Sequence, residues 1–227
     1  MTAFFHVAWI VMRKDLTIEV RSREIIYTTL FFAISCVLVF AMSFVREGRA
    51  IEDAAAGILW IAVIFAGTLA LGRTFERERQ TETLRALMLA PAERPAIYLG
   101  KLLGMLALLF ATELVVAPLV ALLFQAALFA RPLLMIGLLA SGTLGFCAVG
   151  TLFAAMLVRS RSRDVLLPIL LYPITIPVII AGVRGTSALI QPEADVAMAQ
   201  FWMTLLVFFD VVFVTLSLWT FEPVMTE

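Results

Sequence analysis

Charge is what this chain has little of. Only 15% of its 227 residues are Asp, Glu, Lys or Arg, while 63% are hydrophobic and the mean hydropathy is +1.03. A soluble domain is nearer a quarter charged, and so few polar side chains cannot clothe a water-facing surface, which excludes an ordinary soluble globular protein. Seventeen cations balance seventeen anions, so no net field points to nucleic acid. Histidine is nearly absent: His6 stands alone, and without a pair it reads as an interfacial residue, with no metal site expected. The two cysteines, Cys36 and Cys147, lie in apolar runs without CxxC or CxxCH, which excludes the usual disulfide, zinc and covalent-haem signatures and leaves them as packing residues. GxxxxGK[ST] is missing too, since Gly100-Lys101 is followed by Leu102. The chain is therefore not expected to hydrolyse ATP through a P-loop. It also lacks HExxH, a nucleophile elbow and a Gly-rich dinucleotide turn, so no enzyme is expected.

What is present is a series of apolar runs of bilayer length. About 20 residues at ~1.5 Å each cross a ~30 Å hydrocarbon core, and six runs meet that length, at about 25–45, 54–72, 102–124, 133–158, 165–183 and 201–221. The first is too long for a signal-peptide core and has no cations ahead of residue 13, so it reads as a permanent span. Before it, residues 4–24 place Phe5, Trp9, Met12 and Leu16 on one helical stripe, with Arg13, Lys14, Asp15, Glu19, Arg21, Arg23 and Glu24 on the polar faces. That pattern reads as an amphipathic helix in the headgroup plane, with a cytoplasmic helix packing on protein as the alternative. Trp60 and Tyr98 read as interfacial anchors. Span four is rich in small residues, with Gly137, Ser141 and Gly145 in overlapping small-xxx-small pairs that permit close helix approach in lipid. Residues 184–200 read as the longest non-cytoplasmic connection.

Residues 73–101, RTFERERQTETLRALMLAPAERPAIYLGK, form the one long charged segment. Thr81 is a plausible N-cap with Glu82 in the first turn. Leu84, Leu87 and Met88 line one face beside Arg85, and Pro91 ends that short helix. Pro95 starts the next helix. The segment reads as a polar elbow that can dock on a soluble partner. The N-terminal segment, the elbow, the loop between spans four and five and the tail hold 13 of the Lys and Arg, and the other three loops hold 4. Cationic loops stay cytoplasmic, so both termini are expected there.

Two carboxylates fall inside spans, Glu113 and Asp210. Each costs several kcal/mol near mid-bilayer unless protonated, paired or facing water. Each is open to two readings: a polar group on a substrate route or dimer seam, or a side chain bonded to a neighbouring helix. Pro168, Pro173 and Pro177 in span five, at spacings of five and four, read as a kinked helix with the prolines near one side, suited to a gate or to a static bend.

The run EtLraLmLAPaeRpaiylGK, Glu82 to Lys101, is similar to the coupling elbow of the ABC-2 (type V-like) exporter permeases. Within that class, RKDLTIEVRSRE (13–24), LWIAVIFAGTLALGRTFERE (59–78) and GKLLGMLALLFATELVVAPLVALLF (100–124) closely resemble the haem exporter protein B family. The fold class implied is an all-α membrane protein, an interfacial amphipathic helix plus six transmembrane helices in one domain. The resemblance implies a permease in the bacterial inner membrane, working in cytochrome c maturation. Implied partners are a second copy of itself, a cytosolic ATPase dimer that binds the ATP, a larger haem-handling membrane protein, a small single-span subunit and a periplasmic haem chaperone. The elbow residues Glu82, Leu84, Arg85, Leu87 and Met88 would dock on the ATPase. With no His pair, the haem ligands are expected on the partners and no cofactor on this chain. The competing expectations are an ABC-2 permease for a lipid, drug or glycan precursor, an intramembrane enzyme using Glu113 and Asp210 as an acid–base pair, and a pure scaffold.

Overall fold

The computed structural model describes residues 2–46, 49–50, 54–74, 93–158 and 160–226. Among them run seven helices: α1 Thr2–Ser22, α2 Glu24–Ser43, α3 Ala55–Thr74, α4 Arg94–Phe124, α5 Pro132–Met156, α6 Arg163–Ile190 and α7 Val196–Thr226. The last six are long and apolar enough to cross a membrane, so the all-α membrane class expected from the sequence is the one observed. A two-residue antiparallel ladder, Val45–Arg46 with Arg49–Ala50, follows α2.

The helix ends follow from local chemistry. Only Arg23 separates α1 from α2, and its φ of 55° makes the corner. Glu19 of α1 reaches across it, accepting the Ile25 and Ile26 amides at 2.8 and 2.9 Å. Those are first-turn donors with no partner inside α2, and a carboxylate suits a helix N-terminus. Pro95 opens α4 and Gln125, at φ 52°, closes it, as a left-handed C-cap does.

Two boundaries differ from the sequence expectation. The helix α4 begins at Arg94, so the last eight residues assigned to the elbow are helical. Nothing between Pro95 and Pro118 breaks the helix, and Lys101 finds partners within the protein. At 31 residues, α4 rises about 46 Å and outlasts a ~30 Å hydrocarbon core. The connection expected over 184–200 is mostly helix as well: α6 runs to Ile190 and α7 starts at Val196. Thr186 is buried there as the acceptor for Trp60, and Asp195 caps α7 by accepting the Met198 amide at 2.9 Å.

The centre of the bundle is α3 and α5. Of their apolar windows 67% and 61% are buried, against 22% for α2 and 17% for α7, so α2 and α7 present most of their surface outward. Large side chains fill glycine positions across the core. Trp60 of α3 lies against Gly142 of α5 and Gly182 of α6, Phe146 against Gly67, Leu71 against Gly150 and Leu138 against Gly185. Helices pack in lipid by this close approach at small residues. Gly137 and Gly145 of the small-residue series face Met203 and Asp210 of α7.

The N-terminal helix α1 packs along the first half of α4. A Cβ at Gly100 would lie 2.7 Å from both Ala8 O and Val11 Cβ. Ala8 and Val11 are the buried hydrophobic residues among those described in α1, whereas Phe5 and Trp9 of the expected stripe are 60% and 56% exposed. Ala8 and Val11, not Phe5 and Trp9, meet α4 at Gly100.

Candidate functional site

The described structure breaks off at Thr74 and resumes at Glu93. Glu82, Leu84, Arg85, Leu87 and Met88, expected to dock on a partner, like Thr81 and Pro91, lie outside the described residues. What is visible is how the two ends of the elbow are held.

Lys101 is 1% exposed. Its Nζ lies 2.9 Å from Asp15 Oδ2 of α1 and donates to Thr74 O of α3 at 3.3 Å. Asp15 also meets Lys14 at 2.9 Å. Arg163, in the first turn of α6, is 3% exposed and donates from Nη2 to Leu71 O at 3.4 Å. Both acceptors are carbonyls of the last described turn of α3, the end of a helix that favours cations. Burying a cation is costly unless it is paired and hydrogen-bonded; Lys101 has an ion pair and a hydrogen bond, and Arg163 a hydrogen bond. Arg73 joins Glu24 of α2 at 2.6 Å, but both side chains are about half exposed, so the pair contributes under ~1 kcal/mol. A cleft of about 80 Å³ lies among Asp15, Glu19, Arg73, Thr74, Lys101 and Met105. That is far below the ~300–1,000 Å³ of a small-molecule pocket, so this end is a junction of helices rather than a ligand cavity.

The carboxylates sit deeper. Glu113 is buried and faces α5, where Thr143 Oγ1 donates to Oε1. Asp210 is also buried, and its Oδ1 has no hydrogen-bond partner among the described residues. A Cβ at Gly145 would lie 2.7 Å from that oxygen. Thr143 and Gly145 are two residues apart, about 200° around α5. The two acids therefore approach α5 from opposite sides, and the structure does not bring them together as an acid–base pair. Lys101 precedes Glu113 by twelve residues, about 18 Å along the helix, so it is not a counter-ion.

Three sequence expectations change here. The prolines of α6 are not on one side: Pro173 and Pro177 face outward and Pro168 is half-buried, since nine residues at ~100° put Pro168 and Pro177 on opposite sides. The helix is continuous through all three. Trp60 and Tyr98 are not surface anchors. Both are fully buried, Trp60 Nε1 donating to Thr186 Oγ1 at 3.0 Å and Tyr98 Oη to Ala148 O at 2.9 Å. Their polar tips found partners in the core, which frees an amphipathic ring from the interface. The junction residues Asp15, Lys101 and Arg163 went unremarked. The available signal was a lysine directly after Gly100 in a helix opened by proline; its partners lie on other helices, and nothing local names them. Among the described residues no cluster of His, Cys, Asp and Glu could hold a metal ion.

Six long apolar helices, a buried ionic junction at the end where the elbow enters and carboxylates within the bundle define a multi-pass helical membrane protein. Its charged segment is tied into the spans at both ends. The chain belongs to the CcmB family: the family model described as CcmB protein matches residues 6–225. Among its relatives is Heme exporter protein B of Escherichia coli strain K12, 32% identical over 96 residues, which cover 42% of this chain and 44% of that protein. Less than half of that relative's length is thus matched. Heme exporter protein B of Pseudomonas aeruginosa is 27% identical over 75% of this chain and 76% of its own length. The Rhodobacter capsulatus protein of the same name is 28% identical over 78% and 83%.

Proposed function

We propose that this chain is the permease subunit of an ATP-driven membrane complex that serves haem export in cytochrome c maturation. The observation that carries the proposal is the CcmB match over residues 6–225, which includes the elbow as well as every span. The name that the relatives carry, Heme exporter protein B, supplies the cargo. The chain itself carries no P-loop, so ATP is bound and hydrolysed by a separate cytosolic ATPase dimer. Two copies of the chain form the working unit. A larger haem-handling membrane protein and a small single-span subunit join them, and a periplasmic haem chaperone receives or releases haem.

The chain's own part is mechanical. Glu82, Leu84, Arg85, Leu87 and Met88 dock on the ATPase, and closure of the ATPase dimer pushes the elbow against the bundle. Six crossings put α1, the elbow, the turn before α6 and the C-terminus at one end, and 13 of the Lys and Arg belong to those segments. That end faces the cytoplasm of a bacterial inner membrane. The outward faces of α1, with Phe5 and Trp9 beside Arg13 and Arg21, lie at the lipid headgroups.

The test is Leu87→Asp. Burying a charge in an apolar contact is prohibitive, so the variant should insert normally, lose ATPase copurification and fail to support c-type cytochromes. Full ATPase copurification together with normal cytochrome assembly refutes the docking role. Normal c-type cytochromes in a strain deleted for this chain refute the cargo.

A further inference from the structure

We infer that two buried cations, Lys101 and Arg163, are the positioning residues that pass motion of the elbow into the membrane bundle, an inference that rests on the permease reading above. The elbow meets the described structure at Thr74 and Glu93. Force on it enters the bundle through whatever ties those ends to other helices. Lys101 ties three together: its own α4, α1 through Asp15 at 2.9 Å, and α3 through Thr74 O at 3.3 Å. Arg163 ties the first turn of α6 to α3 through Leu71 O at 3.4 Å. The two accepting carbonyls are three residues apart, so α4 and α6 converge on one turn of α3, and α1 joins them through Lys101.

Position and burial set these cations apart from ordinary cytoplasmic-side charges. A lysine or arginine that served only to fix orientation would work from the surface. Lys101 and Arg163 are 1% and 3% exposed, a state that holds only while their partners stay in place. Gly100 makes the Lys101 contact reachable by letting α1 come within backbone distance of α4. The helix held by Arg163 is the one that contains Pro168, Pro173 and Pro177. Each proline removes an internal hydrogen bond, so α6 is the span that bends most readily when its first turn is pulled. The junction thus links the elbow to the most deformable span on one side and to α1 on the other.

The test has two arms. In the purified chain in detergent, thermal unfolding of Asp15→Asn, Lys101→Met and the double variant forms a cycle. An ion pair predicts strong non-additivity, and additive effects overturn the junction. In the assembled complex, Lys101→Met and Arg163→Met should leave ATP turnover within about twofold of wild type while cytochrome c matured per ATP falls at least about tenfold. Lys101→Arg should restore most of that yield. A yield per ATP that is unchanged, or one that falls only in proportion to the chain present, overturns the relay and leaves the residues a purely structural role. Absence of any ATPase from preparations of the wild-type chain sinks the permease reading, and the relay with it, whatever the unfolding cycle gives.

Discussion

A methyl group placed at Gly142 or Gly182 should wedge Trp60 out of its slot. The indole lies between the two glycines, fully buried. A Cβ at Gly182 would be 2.5 Å from Cε2 and 2.7 Å from Cζ2, and one at Gly142 would meet Cη2 and Cζ3. Neither neighbour is the free end of a flexible chain. The ring is pinned by its Nε1 donation to Thr186 at 3.0 Å, so it cannot slide without leaving a buried N–H unpaired. Overpacking costs about 1–3 kcal/mol and an unpaired buried donor about 1–3 kcal/mol. Each glycine-to-alanine change should therefore destabilise by roughly 2–6 kcal/mol. The measurement is thermal or steric-trap unfolding in detergent. Gly57→Ala and Gly72→Ala are the controls: among the described residues, nothing beyond the helix's own backbone and the adjoining residues lies within 4 Å of a Cβ at either position, and alanine in a helix is favoured over glycine by ~0.5–1 kcal/mol. Trp60→Leu should recover most of the loss in the Gly142→Ala or Gly182→Ala background, because contacting residues couple. If both alanine variants unfold with wild type, or if Trp60→Leu adds its own cost in full on top of theirs, the slot is not what joins α3, α5 and α6.

Glu113→Gln keeps an oxygen for the Thr143 hydroxyl to donate to, so export-dependent cytochrome yield should stay above about half of wild type. A large loss from a chain that is still abundant in the membrane would assign the carboxylate a chemical role instead. Glu19→Ala removes the acceptor of two first-turn amides of α2 and should cost about 0.5–2 kcal/mol, as loss of a helix cap does. Unaltered unfolding of that variant would mean that water satisfies those amides equally well.

The crossings were legible because they depend on a local quantity, the length of an apolar run set against the thickness of a bilayer. The N-terminal helix and the helix start at Pro95 were legible for a similar reason, since periodicity and proline geometry act within a few residues. The prolines of α6 apart, whose sides follow from the helical angle alone, the errors lie where a polar residue found a distant partner. Thr186 reads as loop until Trp60, 126 residues away, donates to it. Trp60 and Tyr98 read as interfacial until glycines on other helices make room for one and a backbone carbonyl takes the hydroxyl of the other.

Span number and charge asymmetry were thus properties of the sequence by itself, each counted along the chain without knowing what lies beside it. Which cations are buried, and which helices they join, was decided only when the helices packed. Arg163 reaches Leu71 across 92 residues and Lys101 reaches Asp15 on α1. In hydrocarbon, polar partners are chosen by which faces meet, and the facing of helices is set by where glycines let large side chains in.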